Sequence, residues 1–159
     1  MTRRAVRAIV LASDERILLM SLEDPISRRR VWITPGGAVE AGETETVGLS
    51  RELAEETGLQ DAHVGPRLWT RSHRFEWNGR VIDQDETFYL VETEPFEATM
   101  ANNPAASERS AFRGFRWWSV ADLQQTSEAI GPPGLAALVA NLIHAGPPAA
   151  PFDISIETA

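Results

Sequence analysis

Residues 37–59 read GAVEAGETETVGLSRELAEETGL. From Thr44 onward the stretch lacks proline, is rich in Glu, Leu and Ala, and stops at Gly58. Thr44 has the chemistry of an N-cap and Gly58 that of a C′ glycine, so a helix is predicted over residues 44–57. At roughly 100° of rotation per residue, Glu55 lies about 60° to one side of Glu52 and Glu56 about 40° to the other. Three carboxylates therefore share one stripe, while Leu49, Leu53 and Ala54 give the helix a buried side. Gly48 sits on the stripe one turn before Glu52, where the missing side chain is read as room for a ligand. Like charges at these spacings repel one another. The stripe is therefore either a solvated acidic face or a site for hard divalent cations, which want oxygen ligands. The placement of Arg51 and the glycine-rich approach from Pro35 favour the second.

Working outward, residues 5–12 (AVRAIVLA) and 16–22 (RILLMSL) are aliphatic runs separated by Ser13-Asp14-Glu15, two strands and a turn. A polar loop over 23–30 ends in Arg28-Arg29-Arg30; a short strand over 31–34 and a Pro35-Gly36-Gly37 turn follow. Strands over 67–77 and 80–91 flank Asn78-Gly79, the dipeptide of a type I′ hairpin. Residues 94–110 are read as a loop and 112–118 as a strand. Ser119-x-x-Asp122 has the form of a capping box opening a short helix, and 134–144 form a last helix. Interspersed helices and an antiparallel hairpin predict an α/β chain, a mixed β-sheet with helices on both faces. One domain is expected over 1–145, followed by a Pro-rich C-terminal tail over 146–159 that is either disordered or docked.

Composition narrows the chemistry. The chain has 159 residues, enough for one sizeable core, and no cysteine, which removes thiol nucleophiles and Cys-ligated metal sites. All 15 basic residues are arginine; the absence of lysine removes Schiff-base chemistry and a Walker-type lysine. A net charge of −8 argues against a nucleic acid polymer as partner. His63, His73 and His144 lack zinc-ligand spacing. Arg3, Arg4 and Arg7 resemble the start of a signal peptide, but the apolar run at 8–12 is too short, so a cytoplasmic protein with no membrane segment is expected.

Gly37, five residues, Glu43, seven residues, then Arg51-Glu52-Leu53-x-Glu55-Glu56-x-Gly58-Leu59 resembles a complete Nudix box. A chance match has a probability on the order of 10⁻⁸ per chain of this size. The flanking strand order also resembles the family's α/β/α sandwich; only Thr34, where an aliphatic residue usually precedes Pro-Gly-Gly, departs. The resemblance implies a pyrophosphohydrolase using Mg²⁺ or Mn²⁺ on a small-molecule nucleotide, a nucleoside diphosphate linked to another moiety. It places Glu52, Glu55 and Glu56 as metal ligands, supplemented by a backbone carbonyl in Gly36-Gly37, taken as that of Gly37. It pairs Glu43 with Arg51 as a brace between loop and helix.

Glu52 is the first candidate for general base and Glu108 the second, with Glu56 essential beside them. Arg28 and Arg30 are candidates for phosphate contacts, since arginine suits bidentate phosphate binding. Phe75 and Trp77 share a strand face and are candidates for base stacking, against core packing as the ordinary role of strand aromatics. Glu86 either faces the site or lies exposed at a strand edge. Trp117, Trp118 and Phe115 read as core, and Trp32 as packing beneath the Pro-Gly-Gly turn.

Family markers for dinucleoside polyphosphates (a Tyr about 16–18 residues past the box) and ADP-ribose (a Pro at about 15) fall on residues 75–77 and Arg74 and are absent. Elimination favours a nucleoside triphosphate or a modified one. The alternatives are a dinucleoside polyphosphate, ADP-ribose or nucleotide-sugar pyrophosphatase, and a non-catalytic nucleotide-sensing domain. The tail's Phe152, Ile154 and Ile156 leave a homodimer open.

Overall fold

The computed structural model describes residues 1–156. Among them one mixed sheet runs β8-β3-β2-β1-β6-β5-β9, with β4 beside β1 and β7 beside β2. Its long strands are β1 (Arg3–Ala12), β2 (Ile17–Glu23), β5 (Arg67–Trp77), β6 (Arg80–Thr93) and β7 (Phe112–Trp118). The short ones are β3 (Arg30–Ile33), β4 (Gly36–Ala38), β8 (Ile130–Gly131) and β9 (Phe152–Asp153). The helices are α1 (Glu45–Thr57), α2 (Ala106–Ala111), α3 (Val120–Gln125) and α4 (Leu135–Ala145). No helix is long and apolar enough to cross a membrane.

Alternation along the central strands splits the core in two. Val6, Ala8, Val10 and Leu18 point to one face and pack with Leu49 and Leu53 of α1. Ile9, Ile17 and Leu19 point to the other and pack with Leu123 of α3 and Leu135, Val139 and Leu142 of α4. The α/β/α sandwich follows. β1 and β6 run parallel while β5 and β6 form the antiparallel hairpin, so the sheet is mixed. Asn78 and Gly79 both take positive φ, 52° and 75°, as the type I′ turn demands.

Several local expectations change. Gly36-Gly37-Ala38 is a strand, β4, pairing antiparallel with Val6 and its neighbours on β1 instead of forming a plain turn. Gly36 has φ 146° and lies so close to β1 that a Cβ there would meet the Val6 carbonyl oxygen at 2.0 Å. The 94–110 loop ends in α2, whose N-cap Ala105 offers no side-chain cap. Trp32 packs edge-on against Trp118, at 5.2 Å between ring centroids, within the α3/α4 core. The described part of the tail folds back on its own chain: β9 pairs with β5, Ile154 joins the α3/α4 core, and Ser155 Oγ accepts from the Ser72 N–H at 2.8 Å, while residues 157–159 lie outside the described residues.

Candidate functional site

Helix α1 begins where Thr44 Oγ1 accepts from the Val47 N–H and ends where Gly58 turns left-handed at φ 78°. Its acidic stripe meets β4. The Arg51 guanidinium donates to both Glu43 oxygens, Nε to Oε2 at 2.8 Å and Nη2 to Oε1 at 2.9 Å. Nη2 also reaches the Ala38 carbonyl oxygen at 3.3 Å. The Arg51–Glu43 pair therefore ties the loop before α1 to the helix, and Arg51 ties both to the end of β4. Its hydrogen bonds from Arg51 hold the carboxyl well down, to about 2. Arg51 is correspondingly raised, first by Glu43. The room expected at Gly48 is taken by this pair, because a Cβ there would lie 2.7 Å from Glu43 Oε1.

The three stripe carboxylates differ in surroundings. Arg51 Nη1 donates to Glu52 Oε1 at 3.0 Å and to Glu55 Oε2 at 3.3 Å. Glu52 is buried against β4: a Cβ on Gly37 would stand 2.6 Å from its carboxyl carbon. Burial raises Glu52, with Arg51 opposing and the nearby Glu108 and Glu55 charges adding to the rise. Glu56 is 6% exposed and accepts the Gly36 N–H at 3.0 Å. Burial pushes it up to about 8, against the Gly36 hydrogen bond and with the Glu52 charge adding. Among the described residues no three acidic or histidine side chains already converge as a metal cage. The donors are nonetheless all hard oxygens, and Glu56 is a buried carboxyl short of positive charge, the environment a divalent cation relieves.

A cleft of about 630 Å³ opens beside this stripe. Gly36, Gly37, Glu56 and Glu108 line one end; Phe75 and Trp77 line the other. Glu108 is on α2, its Oε2 accepting from Asn103 Nδ2 at 2.8 Å. Glu86 sits in the floor, buried and not at an exposed strand edge. Arg7 Nε donates to its Oε2 at 3.0 Å and Arg71 Nε to its Oε1 at 3.0 Å, with His73 Nδ1 3.7 Å away. Burial works to raise Glu86, but His73, Arg7 and Arg71 outweigh it and hold the carboxyl at about 2. So firmly ionised and so fully paired, Glu86 orients two guanidiniums instead of moving protons.

Of the other candidates, Phe75, Trp77 and Arg30 reach the cleft, whereas Arg28 is absent from its described lining, as are Glu52 and Glu55 of the stripe, Glu52 standing behind Gly37. Arg28, Arg30 and Arg113 converge on buried Glu23, at 3.3, 3.0 and 3.1 Å. Arg7, Arg71 and Gln84 are cleft residues that the sequence reading missed. A charge interrupting an apolar strand, as Arg7 does between Val6 and Ala8, was the available signal.

A family model described as NUDIX domain matches residues 1–139. The chain is 59% identical over 39 residues to a putative 8-oxo-dGTP diphosphatase 2 of Mycobacterium tuberculosis, 23% of this chain and 28% of that protein. It is 36% identical over 77 residues to a CTP pyrophosphohydrolase of Escherichia coli, 48% of this chain and 55% of that protein. These matches thus span between about a quarter and about half of the curated relatives' lengths. The crystal structure of a NUDIX hydrolase from Nitrosomonas europaea superposes with a TM-score of 0.69 at 16% identity, over 98% of this chain and 80% of that one. At that identity the likeness establishes the fold.

Proposed function

This chain belongs to the NUDIX family, and we propose that it is a divalent-metal-dependent pyrophosphohydrolase that splits a nucleoside triphosphate or a modified nucleotide and releases the nucleoside monophosphate. The observation that carries the reading is Glu56, a buried carboxyl raised by burial at the wall of a nucleotide-sized cleft, with Glu52 beside it. The relatives named for 8-oxo-dGTP and CTP hydrolysis support the triphosphate class. With every box glutamate retained, the non-catalytic sensing alternative has no observation in its favour.

Mg²⁺ or Mn²⁺ would be held by Glu52, Glu55 and Glu56 with the Gly37 backbone carbonyl. When bound, the ion supplies neutralisation of the phosphate charge and Lewis acidity. The protein supplies the remainder. Arg7 and Arg71, fixed by Glu86, present N–H groups to phosphate oxygens in the cleft. Glu52 is the first candidate for general base: Arg51 donates to its Oε1, which leaves Oε2 for the proton of the attacking water. Glu108, steadied by Asn103 across the same end of the cleft, is the second candidate for that proton. Arg51 and Glu43 keep β4 and α1 in register.

The test is a panel of nucleoside triphosphates, dinucleoside polyphosphates, ADP-ribose and nucleotide sugars, each incubated with Mg²⁺ and the protein. Preferential release of a monophosphate from triphosphates supports the reading; turnover confined to another class reassigns the substrate.

A further inference from the structure

Gln84 lies in the cleft floor on β6, paired in register with Arg3 of β1 and His73 of β5. It is 2% exposed, and among the described residues its Oε1 has no hydrogen-bond partner. A buried acceptor left unpaired costs on the order of 1–3 kcal/mol, so its retention calls for a partner. The neighbouring surface suits an aromatic guest. The His73 and Phe75 rings stack at 4.8 Å and 26°, and Phe75 and Trp77 line the same end of the cleft. Gln84 is two residues beyond Glu86 along β6, about 7 Å farther from the acidic end. A hydrogen-bonded chain joins the two ends: Glu56 to the Gly36 N–H, the Gly36 carbonyl to Arg7, Arg7 to Glu86, Glu86 to Arg71, and Arg71 to His73. Along β1 the partner of Gly36 is Arg7 and the partner of Gln84 is Arg3, four residues or about 13 Å apart, the reach of a triphosphate and its sugar.

Building on the nucleotide reading above, we propose that Gln84 is a specificity-determining residue whose side-chain carbonyl accepts a hydrogen bond from an exocyclic amino group on the substrate's base. The cleft then favours amino-bearing bases over analogues lacking that one group. The latter leave Oε1 buried and unpaired, the situation in which a polar site discriminates most strongly. A glutamate at this position keeps the acceptor; a leucine of similar volume removes it.

The experiment measures binding, so it needs no catalysis. Calorimetry with Mg²⁺ present compares AMP with purine riboside 5′-monophosphate, CMP with the 4-deamino analogue, and GMP with IMP, each against wild type, Gln84→Leu and Gln84→Glu. The expected result is at least one pair in which wild type binds the amino member about tenfold more tightly. Gln84→Leu should bring that ratio close to one and Gln84→Glu should preserve it. A general loosening of the fold would weaken both members of a pair and leave the ratio unmoved. Equal affinity within all three pairs in wild type, absence of binding included, overturns the proposal, as does a ratio that survives Gln84→Leu. Discrimination without hydrolysis of any nucleotide in the substrate panel would instead overturn the enzymatic reading and leave this one standing.

Discussion

Arg51 grips Glu43 with two parallel hydrogen bonds, 2.8 and 2.9 Å, while its remaining nitrogen reaches Glu52 at 3.0 Å. One guanidinium thus fixes the loop to the helix and sets the direction of a carboxylate in the acidic stripe. Bidentate geometry makes this pair a positioning device that lysine would not reproduce. Arg51→Lys and Glu43→Gln should each weaken Mg²⁺ affinity by about tenfold or more, measured by calorimetry. Unchanged affinity in both would remove the brace.

Glu56 gives a pH signature in metal-free protein. Its folded value, about 8, lies above the ordinary 4.5, so the folded state holds the proton more tightly than the unfolded state. The benefit is full below pH 4.5 and is lost as pH rises toward 8, on the order of 5 kcal/mol in all. Wild type in EDTA should therefore destabilise across that window, and Glu56→Gln should not. Added Mg²⁺ should recover stability near pH 8 in wild type alone. Parallel pH profiles for the two proteins would show that Glu56 ionises freely.

Glu86 has the opposite sign. Held at about 2 against an ordinary 4.5, it stabilises the fold above pH 4.5 and loses that contribution as pH falls toward 2. Glu86→Gln leaves Arg7 and Arg71 without their counter-charge and should cost about 3 kcal/mol at pH 7. The gap to wild type should narrow near pH 3. Chemical denaturation at both pH values reads it; a gap that is constant with pH would contradict the ion-pair assignment.

The two glycines of β4 separate folding from function. Gly36→Ala collides with the β1 backbone at 2.0 Å and should destabilise by about 3 kcal/mol or more. A Cβ on Gly37 meets instead the movable Glu52 carboxyl at 2.6 Å. Gly37→Ala should lose metal affinity with a smaller drop in Tm. Equal losses of Tm would mean that Gly37 serves the backbone as Gly36 does.

The helix and the hairpin were legible because their causes are local, whereas the Glu43–Arg51 brace was reached only through the family resemblance. Thr44, Gly58 and Asn78-Gly79 act within a few residues of themselves, and the glutamate stripe follows from helical period alone. β4 was not, since three small residues carry no alternation and become a strand only by pairing with β1. α2 escaped for a similar reason: its N-cap is Ala105, with no capping side chain to announce it. The Arg7–Glu86–Arg71 floor was invisible because strand pairing alone joins residues 79 positions apart. The same holds for Gln84, whose significance rests on its neighbours across the sheet. Gly48 was misread because the stripe was projected without Glu43, which folds back over it.

In the proposed reaction the α1 carboxylates support phosphoanhydride hydrolysis with a divalent cation. The most direct measurement is Mg²⁺-dependent release of nucleoside monophosphate from triphosphates by wild type, Glu52→Gln and Glu56→Gln, with circular dichroism confirming each fold. Turnover in wild type that falls by about 10²-fold or more in each variant is the expected result. Wild-type turnover in both variants, or turnover undiminished in EDTA, would contradict it.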